Sequence, residues 1–170
     1  MQNRTKKIIT CALLISVSLI LSYIENILPM SYFVPGAKIG LANIVTLLTI
    51  YTLSPKESFI ILITRIIIMG LVFTNAYMMI YSLVGGLLAY LVMFIMFKSN
   101  AFSIIIVSIG GATAHNIGQL LVASIFFSTT SFIYYLPYLL IIGVITGLIV
   151  GIINVLILNR FKVIVDKYLY

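Results

Sequence analysis

The sequence predicts an all-α integral membrane protein, one domain over residues 1–170 built as a bundle of six transmembrane helices. Two observations carry that expectation. Only 8% of the residues are charged while 63% are hydrophobic, so polar side chains cannot cover a water-soluble surface. The apolar residues also come in continuous runs with no alternation of period two. In hydrocarbon, where every backbone polar group must be satisfied internally, that selects helices over a closed barrel.

The first run, 8–28, follows the basic residues Arg4, Lys6 and Lys7 and stops at Pro29. Its start resembles a signal peptide, but no small-x-small cleavage site follows, so the helix is expected to be retained. The second run, 39–53, is closed by Ser54-Pro55, and the others cover 58–73, 76–97, 101–127 and 132–158. A span needs about 20 residues, so the second and third are short and must borrow polar neighbours or thin the bilayer.

Lys and Arg then set the crossings. Arg4, Lys6 and Lys7 precede the first run, Lys56 follows the second, Lys98 the fourth, and Arg160, Lys162 and Lys167 the sixth. The alternate gaps hold Lys38 alone. Positive residues favour the cytoplasmic side, which predicts six full crossings of the plasma membrane with both termini inside. A re-entrant hairpin made of the second and third runs would instead put Lys56 within the membrane. The tails 1–7 and 159–170 read as short basic cytoplasmic ends against anionic membrane lipid. The net charge of +7 is therefore topological, and its dispersal over short loops argues against nucleic-acid binding. Cys11 is the only cysteine, which excludes an internal disulfide, a thiolate zinc cluster or a redox pair.

A few polar residues lie at bilayer depth. Arg65, in "ILITRIIIMG", costs at least ~2.5–3.5 kcal/mol to insert there, so it must snorkel, pair or face a wet cavity. Glu25 is the only carboxylate in another span. It sits with Asn26 at the outer end of the first run, before "LPMSYFVPGAKIGLAN". There Pro35-Gly36 forms a turn, Tyr32 and Phe33 give an aromatic character, and Lys38 and Asn43 approach the second helix. The stretch reads as a lid over a cavity opening outward.

In "GGATAHNIGQL", Ser108, Gly111, His115 and Gln119 share one helical face, and Asn116 lies about 100° round from His115. Asn116 is expected to act as helix glue, His115 and Gln119 to face a cavity. One histidine and no usable cysteine make a poor metal site. Gly143, Gly147 and Gly151, with Gly85-Gly86, read as packing seams. Tyr134, Tyr135 and Tyr138 fit an interfacial aromatic belt, with Tyr134 also able to stack on a ligand. The candidate substrate-binding set is Glu25, Lys38, Asn43, Arg65, Asn75, His115, Gln119 and Tyr134, with no cofactor.

The stretches "SYIENILP", "VPGAKIGLANIVTLLTIY", "RIIIMGLVFTNAYMMIYSLVGGLLAYLVM", "GGATAHNIGQLLVA" and "YYLPYLLIIGVITGLIVGI" resemble, in order, the Gx transporter family. Its members are often labelled heptaprenyl diphosphate synthase component I. The likeness runs over 8–160, and PGAK-GLAN and AHN-GQ are its most specific parts. That family is similar to the substrate-binding S components of energy-coupling-factor (ECF) importers. The resemblance implies an S-component-like bundle with a pocket near the outer face, capped by the loop between the first two helices. It also implies partners, a transmembrane coupling protein and two ATPases, with Ala12 and Ser16 at the docking positions.

Residue chemistry arbitrates between the labels. Prenyl chain elongation needs Mg²⁺ held on a diphosphate by clustered carboxylates, whereas this chain has three acids, Glu25, Glu57 and Asp166, far apart in sequence. There is no phosphate-binding G-x-x-x-x-G-K-[ST] loop and no serine or cysteine nucleophile with a base and orienting acid beside it. An enzyme is not expected. The leading expectation is capture of a small, partly anionic molecule for an ATP-driven importer. The alternatives are a non-catalytic membrane partner in polyprenyl diphosphate or quinone synthesis, and a stand-alone secondary transporter using Glu25 and His115 for protons. A flavin-like molecule, a quinone precursor and a prenyl phosphate all remain open as ligands.

Overall fold

The computed structural model describes residues 2–27, 40–128 and 131–169, with side chains given for 4–27, 40–128, 131 and 133–160. Among these residues there are six α-helices and no strand. They are α1 (Gln2–Ile27), α2 (Asn43–Thr52), α3 (Pro55–Ile68), α4 (Ala76–Ser99), α5 (Ile104–Phe126) and α6 (Leu136–Leu169). A wide π turn, Met69–Phe73, prolongs α3, and a 3₁₀ turn, Ser131–Tyr135, leads into α6. Four stretches, Arg4–Ile27, Ala76–Ser99, Ile104–Phe126 and Ile133–Arg160, are long and apolar enough to cross a membrane, and the chain is membrane-embedded.

The helix positions follow the apolar runs, but the ends differ. The tails expected at 1–7 and 159–170 are continuous with α1 and α6. Neither tail contains Gly or Pro, and Lys, Arg and Gln are good helix formers, so nothing stops the helix where the apolar run stops. Elsewhere the stops are local. Ser54 and Pro55 start α3, with the Ser54 N–H donating to Glu57 Oε2 at 2.9 Å. Asn100 ends α4 in the left-handed region, at φ 53°.

The helices α4, α5 and α6 pack side by side through glycine. A Cβ on Gly147 would lie 2.6 Å from Ile109 Cα, one on Gly151 2.9 Å from Ile105 Cα, and one on Gly143 3.1 Å from Thr113 Cα. On the other face of α5, a Cβ on Gly118 would lie 2.8 Å from Gly85 Cα. These approaches put backbone against backbone, which only glycine permits, and the expected seams are real. Asn116 Nδ2 crosses the same seam to the Leu139 carbonyl at 2.9 Å. Asn116 is helix glue.

The short helix α2 solves its length problem by enclosure. Ten residues rise about 15 Å, half the hydrocarbon thickness. Yet α2 touches all five other helices, and every residue from Asn43 to Ile50 is buried. Leu47 and Ile50 join Ala89, Met93 and Val107 in the core. Protein, rather than lipid, surrounds it.

Helix α1 is built inside out. Ile9, Leu13, Val17, Ile20 and Ile24 are exposed, while Ser18, Ser22 and Glu25, three or four residues apart, are buried. For a helix in lipid this is the favourable arrangement, because polar groups find partners only in protein. Among the described residues α1 packs on α2, α3 and the π turn and makes no packing contact with α4, α5 or α6. At its N-terminal end Lys7 forms an ion pair with Glu57 of α3. The Lys7 ammonium, with the Ser54 N–H, holds the Glu57 carboxyl well below its ordinary range, at about 2.

Candidate functional site

At the end of the bundle away from Lys7 and Glu57, a cleft opens between α1, α2, α3, the π turn, α4 and α5. It holds about 480 Å³ of empty space, mouth included. Each wall is set by a local device. On α1, the buried stripe brings Ser22 and Glu25 to the cleft. On the α2 side, Gly40 has φ 78°, a left-handed value suited to glycine. Its carbonyl accepts the Asn43 N–H at 2.8 Å, closing the turn that starts α2. Its own N–H donates to Glu25 Oε1, so the carboxylate is already engaged on backbone.

Arg65 comes from the last turn of α3 and is 7% exposed. Its Nη1 donates to Ser22 Oγ at 3.3 Å, and its Nε is buried with no hydrogen-bond partner. Glu25 acts on it electrostatically, but among the described residues Arg65 forms no direct ion pair. It therefore faces the cleft instead of snorkelling back towards Lys56. After it the backbone widens: the Met69 N–H reaches both the Arg65 and Ile66 carbonyls, and Thr74 returns its N–H and Oγ1 to the Met69 carbonyl at 3.0 and 3.1 Å. The wide turn sets Met69, Gly70 and Thr74 along the wall. Met79 and Ser82 of α4 and His115 of α5 complete it.

The structure thus brings Glu25, Asn43, Arg65 and His115 together. Lys38 and the expected lid with Tyr32 and Phe33 lie outside the described residues. Gln119 is fully buried one turn beyond His115, off the cleft wall, and among the described residues neither amide atom is hydrogen-bonded. Asn75 and Tyr134 do not line the cleft. Asn75 Oδ1 accepts the Met78 N–H at 2.9 Å as the cap of α4, so its side chain is used locally. Tyr134 is 88% exposed, as an aromatic-belt residue would be. Ala12 and Ser16 lie on the exposed face of α1, with Ser16 Oγ donating to the Ala12 carbonyl at 3.0 Å. Ser22, Thr74 and Ser82 escaped the sequence reading. Only Ser22 left a signal there, its spacing from Ser18 and Glu25.

Among the described residues the cleft presents one guanidinium, one engaged carboxylate, an imidazole, the amides of Asn26 and Asn43, and hydroxyls. Such a set can bind an anion and hydrogen-bond a polar molecule. Among the described residues no group of three or more His, Cys, Asp and Glu could hold a metal ion.

A family model described as heptaprenyl diphosphate synthase component I matches residues 14–157. No curated protein and no solved structure matches the chain.

Proposed function

From the premise that the chain belongs to the heptaprenyl diphosphate synthase component I family, a non-catalytic subunit, we propose that it is a substrate-capture subunit of an ATP-driven importer of the ECF type. In this reading α2 and α3 complete six crossings, both termini are cytoplasmic, and the cleft opens outward to take a small, partly anionic molecule. The observation that carries it is Arg65, a buried guanidinium at a cleft that, among the described residues, has one hydrogen bond and no direct ion pair. A buried charge is costly unless it is compensated, and a ligand anion would supply the missing counter-charge. His115 and Asn43 would hydrogen-bond the rest of the ligand. Ala12 and Ser16, on the exposed face of α1, would dock the coupling protein. The sequence likeness to S components supports the same assignment.

The test is co-expression with a coupling protein and two ATPases, followed by purification through a tag on this chain. The expected result is a four-part complex that is lost when Ala12→Leu and Ser16→Leu are combined. A chain that never copurifies with these subunits, or a double variant that assembles normally, overturns the reading.

The family description itself favours a second reading, a membrane partner of a soluble prenyl diphosphate synthase. Stoichiometric copurification with that synthase, in place of the ATPases, would establish it.

A further inference from the structure

Two opposite charges are kept apart at one cleft. Arg65 is 7% exposed and Glu25 9%, and both line the same space. Glu25 acts on Arg65 electrostatically, yet among the described residues the two form no direct ion pair. Other partners hold each in place. Arg65 Nη1 donates to Ser22 Oγ at 3.3 Å, and the Gly40 N–H donates to Glu25 Oε1. Ser22 and Glu25 share the buried face of α1 one turn apart. The guanidinium is thus anchored about 4.5 Å along the helix axis from the residue that carries the carboxylate.

A purely structural pair would close. Buried charges recover their desolvation cost through direct, hydrogen-bonded contact, and separation forgoes that gain. Gly40 takes only one oxygen of Glu25, which leaves Oε2 as a second acceptor. The bond to Ser22 uses only one of the guanidinium's several donors.

We propose that the cleft takes a small zwitterion, an α-amino acid with an apolar side chain, whose carboxylate meets Arg65 and whose ammonium meets Glu25. This rests on the capture reading and narrows its substrate class: the partly anionic molecule is neutral overall. A plain anion attracted to Arg65 would also be repelled by Glu25. An α-amino acid carries both charges on one carbon, which suits wall charges about one helical turn apart. Ile66, Met69 and Met79 give the cleft an apolar side, and the two thioethers adapt to the shape laid on them. The empty space of about 480 Å³, mouth included, suits a compact ligand. A prenyl diphosphate would bring further negative charge to Glu25 and is the wrong class.

The test uses the full-length chain in detergent near neutral pH, read by calorimetry, with L-leucine and L-phenylalanine as probes. Each is compared with the same molecule lacking the ammonium (isocaproate, hydrocinnamate) and lacking the carboxylate (isoamylamine, phenethylamine). The tighter-binding amino acid should exceed both of its counterparts by about 10- to 100-fold, the effect of one hydrogen bond between charged groups. Glu25→Gln, which keeps an oxygen for the Gly40 N–H, should bring that amino acid down to its carboxylate counterpart. Arg65→Met should bring it down to the amine. Charges that served structure alone would change stability without reordering the probes. If either variant fails to fold, the wild-type ranking decides. A carboxylate counterpart that binds as tightly as the amino acid overturns the proposal and leaves a plain anion site. An amine that does so overturns it by removing Arg65 from recognition. Binding of neither amino acid also overturns it, whereas the capture reading falls only if assembly with the coupling protein and ATPases fails.

Discussion

The glycine seam between α5 and α6 allows a substitution whose sign is decided by magnitudes. Gly147→Ala should stabilise the helix on propensity alone, by about 0.5–1 kcal/mol. Against this, the new Cβ would lie 2.6 Å from Ile109 Cα, 3.0 Å from Ile109 N and 3.0 Å from the Ser108 carbonyl oxygen. All three are backbone atoms and cannot rotate away. Carbon atoms rest at about 3.5–4.0 Å, so the two helices must part by about 1 Å. Parting them also loosens the contacts at Gly143 and Gly151 and strains the Asn116–Leu139 hydrogen bond. Overpacking of this kind costs about 1–3 kcal/mol, more than propensity returns. A net loss of about 1–2 kcal/mol corresponds to a fall in Tm of about 2–8 °C for a chain of this length. Thermal unfolding in detergent, followed by circular dichroism, reads it directly. Leu148→Ala, on the exposed face of the same turn, provides the comparison and should shift Tm less. A Gly147→Ala protein at or above the wild-type Tm would refute the backbone-contact argument.

Asn116→Ala should lower stability by about 1 kcal/mol, the worth of one interhelical hydrogen bond, as read by thermal unfolding of the purified protein. Glu57 is depressed from its ordinary 4.5 to about 2, so its contribution to joining α1 and α3 is fully present above pH 4.5 and is lost only as pH falls through about 2. An infrared carboxylic-acid band removed by Glu57→Gln should appear only near pH 2, and its appearance at pH 4–5 would contradict the Lys7 pairing. A cysteine at Ser31, introduced after Cys11→Ala, should react with an impermeant maleimide in intact cells; labelling only in broken cells would invert the proposed topology.

Sequence alone determined what depends on composition and local periodicity. Low charge and unbroken apolar runs dictate helices in lipid, Pro29 and Ser54-Pro55 mark run ends, and the His115–Gln119 stripe lies on a single helical face. The glycine seams belong here too, because small residues one turn apart have little use but close approach. Tertiary structure decided the partners. Ser22 and Arg65 are 43 positions apart, and nothing local says that α1 crosses α3 where they meet. Glu25 reads as a ligand group in sequence, yet the Gly40 turn engages it on backbone. Asn75 is drawn off the cleft by its own cap, and α2, too short for lipid, is enclosed by the five other helices. A helix fixes each side chain's direction along its own axis. Which neighbour that side chain meets depends on how the helices cross, and between α4, α5 and α6 the crossings are set by backbone contacts at glycine.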